Sequence, residues 1–295
     1  MRHGLLAAAL WLVATTAWAS PAFCGQTDAH DAAQQDRLLR VAAALQRVLD
    51  GATAPAALVA RSGLKLRRVS LTYSHAGLAL RAHPAGAWAV RQLYYDCDQG
   101  LPRLYDQGLP GFVLGMGDAD LGHLSVVLLP GPAGAQAAAA ALDDALAKAL
   151  LAARYSANAF AWATHYQNCN QWVAELLAAA WAPLADGPAL RERAQGWLQA
   201  AGYAPSAVDV ASPLVQVVAL FSPWLHADDH PEADIKAARI RVSTPESLAA
   251  FALAQVPGAR QIELCHTAQH LVVREGGPPL PSDCTPAATD RVLPL

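Results

Sequence analysis

The stretch HYQNCNQWVAELLAAAW, residues 165–181, decides how this chain is read. From Cys169 onward Trp172, Val173, Leu176, Leu177, Ala180 and Trp181 recur in the i, i+1, i+4, i+5 pattern of a helix with one buried face. Asn168 is a good N-cap, so Cys169 falls in the first turn, with its thiol on the side of the core. The positive end of the helix dipole favours thiolate over thiol at that position, which is how a nucleophilic cysteine is commonly built. The plainer alternative is a small hydrophobe opening a buried helix.

Working outward, the chain begins MRHGLLAAALWLVATTAWAS, with a basic residue, a short apolar run and Ala17-Trp18-Ala19 as a small-x-small cleavage site. Residues 1–19 therefore read as a secretory signal peptide, and the expected location is periplasmic or secreted. The formal net charge of −3 moves to about −4 once Arg2 is removed. Without a basic cluster interleaved with aromatics, nucleic acid is not an expected partner. Later apolar runs are short or broken by charge, so no transmembrane segment is expected in the mature chain. A hydrophobic content of 54% is ample for a core.

Five cysteines, Cys24, Cys97, Cys169, Cys265 and Cys284, lie beyond the signal, and an oxidising compartment permits disulfides. Four can pair in three ways and leave one thiol free, for which Cys169 is the natural candidate. The pairs favoured are Cys265 with Cys284 and Cys24 with Cys97.

An amphipathic helix is expected over 31–50, with Leu38, Ala42, Leu45, Val48 and Leu49 on one stripe. A short strand follows, Ala57 to Arg61. Alternation in RRVSLTYSHAGLAL puts Leu71, Tyr73, His75, Gly77 and Ala79 on one strand face. A hairpin to WAVRQLYY, residues 88–95, places His75 across from Gln92 or its neighbour, and Gly77 strips side-chain bulk from beside the imidazole. Residues 96–122 read as loop, 123–129 as a third strand, and the alanine-rich 135–154 as one helix. Further helices are expected over 188–201 and 206–221. The segment His226, Asp228, Asp229, His230 holds metal-ligand types without metal-site spacing and reads as a surface loop, so no metal or other cofactor is expected. The tail reads strand 238–242, helix from Thr244 as N-cap, then strands 261–265 and 270–274.

A strand histidine, a polar residue on the partner strand and, later, a cysteine opening an apolar helix are the parts of a Cys–His nucleophile with an orienting group. Ser74-His75-Ala76-Gly77-Leu78 resembles the S-H-x-G-hydrophobic strand of the circularly permuted papain-like fold of NlpC-type peptidases and lecithin:retinol acyltransferase-like enzymes. Asn168-Cys169-Asn170-Gln171-Trp172-Val173 resembles that group's N-C-x-x-aromatic-V helix start, and the strand ending in Arg61 resembles the one that opens the fold. The likeness covers roughly residues 55–182. The full chain also looks like a bacterial exported family known only as a domain of unknown function.

The resemblance implies an α+β fold in which an antiparallel sheet packs against the cysteine helix, with additional C-terminal helices and strands. The domains expected are 1–19 signal peptide, 20–205 papain-like catalytic domain, and 206–295 a C-terminal α/β extension or small second domain. Cys169 would be the nucleophile, His75 its base and Gln92 the orienting group, with His165 and His83 as lesser substitutes for the base. A nearby imidazolium would then complete the lowering of the thiol pKa to near neutrality. The expected activity is an exported cysteine hydrolase or acyltransferase, acting on an amide or ester of a small-molecule, peptide or acyl substrate, cell-envelope peptide included, through a thioester. The alternative is a binding or envelope-maintenance module that keeps the scaffold without turnover.

Overall fold

The structure is a computed structural model that describes residues 30–63, 71–210 and 222–295. The expected signal peptide, Cys24 and residues 211–221 of the helix expected over 206–221 lie outside the described residues. The fold is α+β. Described strands β1 (Ala56–Arg61), β2 (His75–Leu80), β3 (Ala89–Asp96), β4 (Leu101–Gln107), β5 (Leu121–Leu129), β8 (Arg260–Thr267), β9 (His270–Glu275) and β10 (Arg291–Pro294) form an eight-stranded sheet in the order β10-β9-β8-β5-β1-β2-β3-β4. Every neighbouring pair is antiparallel. A small ribbon pairs β6 (Ser206–Asp209) with β7 (Arg239–Val242).

Helices cover both faces of the sheet, which is why β1 and β2 are buried at every position. On one face, α1 (Ala32–Asp50) and α2 (Leu109–Leu114) pack over Ala57, Val59, Ala79, Val90 and Val126. On the other, α3 (Gly131–Leu142), α4 (Asp144–Ala149), α5 (Cys169–Trp181), α6 (Leu190–Ala200) and α8 (Pro245–Gln255) share a core with Ala56, Leu58, Ala60, Ala76 and Leu78. The short α7 (Glu232–Lys236) lies beside β7.

Local chemistry sets the ends of these elements. Asp31 and Gln34 make a capping box on α1, and Thr244 and Ser247 make one on α8. Asn168 Oδ1 accepts from Gln171 N at 2.7 Å and so starts α5 at Cys169. Asp143 accepts from the amides of Ala145 and Leu146, and this breaks the expected 135–154 helix into α3 and α4. Residues 96–122, read as loop, instead hold β4 and α2. Ser206–Asp209 is a strand rather than the start of a helix, because it pairs with β7 in a contact far away in sequence. The strands from 260 to 294 extend the main sheet through β5–β8 pairing.

Cys265 and Cys284 form a disulfide with Cα atoms 5.4 Å apart, closing the loop after β8. Cys97 is disulfide-bonded, and the Cys24 half of the expected Cys24–Cys97 pair lies outside the described residues. Among the described residues Cys169 is the free cysteine, and it is buried. No described helix is long and apolar enough to cross a membrane.

The α5 helix departs from the one-faced helix of the sequence pattern. Every residue from Cys169 to Ala178 is buried, including Gln171 and Glu175. Glu175 receives Arg191 from α6 at 2.7 Å, Gln167 at 2.6 Å and Gln195 at 2.7 Å. Burial pushes its carboxyl pKa up, and Arg191 and the two amides oppose this. Removing one partner of such a pair leaves an uncompensated buried charge. Glu175→Ala should therefore lower unfolding stability by about 3–5 kcal/mol in urea titrations, and a loss below about 1 kcal/mol would refute this account.

Candidate functional site

The β2–β3 hairpin builds the first half of the site. Its register pairs Leu78 with Arg91, Ala79 with Val90 and Leu80 with Ala89. Continued along the strands, this sets Gly77 beside Gln92 and His75 beside Tyr94, a correction to the expected placing of His75 across from Gln92 or its neighbour. The cause is the turn: Trp88 adopts φ 62° and donates its amide to Leu80 O at 2.8 Å, which fixes the alignment.

Gln92 nevertheless reaches the imidazole diagonally, with Oε1 at 2.8 Å from His75 Nε2. A Cβ at position 77 would lie 2.7 Å from Val90 Cγ1 and 3.0 Å from Gln92 Cβ, so only glycine leaves room for this approach. Gln92 Nε2 donates to Gln107 Oε1 at 3.0 Å, which orients the amide with its oxygen toward the ring. Nε2–H of His75 is thus the donor and Nδ1 carries the lone pair. The ring stacks on Tyr94 with centroids 4.7 Å apart and lies 6.1 Å from Phe112. Burial, and then the charge of Arg61, holds its pKa down to about 3 against the opposing bond to Gln92.

The second half is Cys169. Its thiol donates to Asn170 Oδ1 at 3.6 Å, and the backbone amides of Ala76 and Asn170 also act on the sulfur. Cys169 shares its core with Ala76 and Leu78, the β2 residues whose side chains alternate with His75. The arrangement thus joins His75 to Gln92 and brings the sulfur to the Ala76 amide, one peptide unit from His75. Among the described residues it places no hydrogen bond between thiol and imidazole. Burial pushes the Cys169 pKa up to about 11, although the amides and Arg61 pull the other way. The expectation of a thiolate near neutrality is therefore corrected: desolvation outweighs the helix terminus, and thiol and imidazole both rest neutral.

The lesser substitutes lie elsewhere. His165 contacts Arg154 at 2.7 Å and packs on Tyr166, and His83 lies 3.2 Å from Asp106 in the hairpin. The residues of the His226–His230 segment clamp the chain that leads into Cys169. Asp228 accepts from Tyr166 Oη at 3.1 Å, Asp229 accepts from Phe160 N at 2.9 Å, and His230 bonds Asn158 O at 2.7 Å. Among the described residues, the gathered set of metal-ligand types is His123, Cys265 and Cys284, two of which are joined in the disulfide.

Sequence reasoning passed over Arg61 and Tyr94. Arg61 is Cα-paired with His75, 6% exposed, and donates to Tyr94 Oη at 2.9 Å and to Gly115 O. Its one sequence signal was a cation closing the apolar strand Ala56–Ala60.

The family model described as "Uncharacterized protein conserved in bacteria (DUF2145)" matches residues 48–252, and the chain belongs to that family. No curated protein and no solved structure matches the chain.

Two buried imidazoles set a pH dependence. His75 is held down to about 3 and His266, chiefly by burial, to about 4, against 6.5 for an ordinary histidine. Both are neutral in the fold and protonate more readily when unfolded. Their contribution to stability is full above pH ~6.5 and is lost as pH falls through the interval down to about 4 and then 3, at up to ~1.4 kcal/mol per group per pH unit. Urea titrations of wild type and His75→Asn at pH 7.5 and pH 5 should show a smaller pH effect in the variant. Equal pH effects would mean that His75 is not held neutral.

Proposed function

We propose that this DUF2145-family chain is a cysteine-dependent hydrolase or acyltransferase on a permuted papain-like scaffold, with Cys169 as nucleophile, His75 as base and Gln92 as the orienting group. The observation that carries the reading is the 2.8 Å bond from His75 to Gln92, in a hairpin cleared by Gly77, with the Cys169 helix start brought to the next peptide. The bond occupies Nε2 and leaves Nδ1 as the atom that would take a proton.

Because the resting pair is neutral, proton transfer accompanies attack. The sulfur forms its bond to the substrate carbonyl carbon as its proton passes to Nδ1, a transfer that requires thiol and imidazole to draw together from the resting arrangement, in which no hydrogen bond joins them. Collapse of the tetrahedral adduct breaks the bond to the leaving nitrogen or oxygen, which takes that proton from the imidazole. Water or a second acceptor, deprotonated by Nδ1, then attacks the thioester and releases Cys169 as thiol. The amides near the sulfur are suited to the developing oxyanion. Gln92 steadies the imidazolium through its amide oxygen without adding charge, so its contribution is smaller than that of a carboxylate. No metal or cofactor enters the scheme. Residues 1–19 and the Cys265–Cys284 disulfide support a periplasmic or secreted setting.

The second reading, a binding module on the same scaffold, is favoured by the thiol's bond to Asn170 and its raised pKa. Hydrolysis of an activated ester, p-nitrophenyl acetate, separates the two. Under the enzyme reading Cys169→Ser abolishes turnover, His75→Ala lowers kcat/KM by about 10²-fold or more, and Gln92→Ala has a smaller effect. Wild-type hydrolysis no faster than that of Cys169→Ser, or unaffected by His75→Ala, leaves the binding module as the function.

A further inference from the structure

We propose that Arg61 is the anion-recognition residue of this site, so that the substrate carries a carboxylate which docks on its guanidinium. The inference rests on the hydrolase reading above and names its substrate class. Arg61, Arg91 and Arg191 are buried arginines. Arg91 holds Asp106 at 2.7 Å and Arg191 holds Glu175 at 2.7 Å. Among the described residues Arg61 holds no carboxylate. Its polar partners are neutral, Gly115 O on Nη1 and Tyr94 Oη on Nη2 at 2.9 Å, and its Nε has none. A buried cation without a counter-ion is costly, and that cost is offset when an anion arrives.

The free positions suit a planar anion. Nε and Nη2 share one edge of the guanidinium, the edge on which a carboxylate makes two parallel bonds; Nε there has no partner and Nη2 is bonded to the neutral Tyr94 Oη. Glycines let the backbone lie close against the guanidinium and hold it in place: a Cβ at position 63 would lie 2.9 Å from Nη1, and one at position 115 would lie 2.7 Å from Nη2. The Phe112 ring lies 5.5 Å from Arg61 Cζ and 6.1 Å from the His75 ring, so it walls both groups on the same side. An anion on Arg61 is therefore held beside the imidazole. Its charge also offsets the cation that disfavours imidazolium, so that docking makes His75 a better base. A substrate without a carboxylate meets a weaker base.

Alkylation with a charged and a neutral reagent of nearly the same shape tests this. The rate of Cys169 with iodoacetate is divided by its rate with iodoacetamide, and the quotient is normalised to the same quotient for a small free thiol. Recognition by Arg61 predicts a normalised preference for iodoacetate of about tenfold or more, falling to about one in Arg61→Gln and partly kept in Arg61→Lys. In parallel, acetate but not acetamide, at constant ionic strength, should raise the wild-type melting temperature, with no such rise in Arg61→Gln. Should Arg61→Gln fail to fold, wild type and Arg61→Lys carry both measurements. A wild-type preference near or below one, a preference unchanged by the substitution, or no labelling together with no acetate effect overturns the proposal. An iodoacetate preference in a wild type whose ester hydrolysis is no faster than that of Cys169→Ser would sink the enzyme reading and leave anion recognition standing.

Discussion

Everything in this fold leans on one helix that has no solvent face over most of its length. From Cys169 to Ala178, α5 is buried between the sheet and its neighbouring helices, so each polar group it carries must find a partner inside the protein. Trp172 Nε1 donates to Ala147 O at 3.2 Å, Gln171 reaches the carbonyl of Ala163 at 3.1 Å, and Glu175 gathers Arg191, Gln167 and Gln195. These bonds tie α4, α6 and the 160–167 segment to one rod. They also fix where the rod begins, because Asn168 caps α5 while its own side chain donates to Ala157 O and Ser243 O. The position of Cys169 follows from that cap and from the hydrogen bonds that Gln171 Nε2, Trp172 Nε1 and Glu175 make beyond it.

Complete burial has an electrostatic consequence that runs against simple nucleophile building. A helix N-terminus favours a thiolate by a modest amount, about 0.3–1 kcal/mol at an exposed end. Desolvation at Cys169 is the larger effect, and the pKa rises to about 11. The same dryness keeps His75 neutral. Arg61 adds a fixed positive charge that favours thiolate and disfavours imidazolium at once, so the two halves of a Cys–His pair are biased in opposite directions by one group. A site built this way is quiet at rest and waits for a change in charge or solvation before proton transfer becomes favourable.

Much of the frame was legible because it is written in local, periodic signals. The α1 stripe, the cap at Asn168, the capping box at Thr244 and the alternation through Ser74 to Leu80 each depend on residues a few positions apart. The Gly77 gap could also be read locally, since a glycine two residues after a strand histidine can only widen the space beside it. The reading failed where a long-range partner or a single side chain decided the outcome. Ser206–Asp209 became a strand because β7 was available to pair with it. The alanine run broke because Asp143 preferred to cap.

By itself the sequence determined the helix that opens at Cys169 and the nearness of His75 to Gln92. These rest on spacing, capping and strand alternation, which act within a turn or a hairpin. Only the tertiary structure decided that helices cover both faces of the sheet, that β8 to β10 continue it past β5, and that Arg61 is buried beside His75 with no carboxylate partner among the described residues. It also decided that thiol and imidazole rest neutral. Burial and charge depend on which distant segments come to lie against a residue, and no periodicity within the chain encodes how completely water is excluded from one sulfur atom.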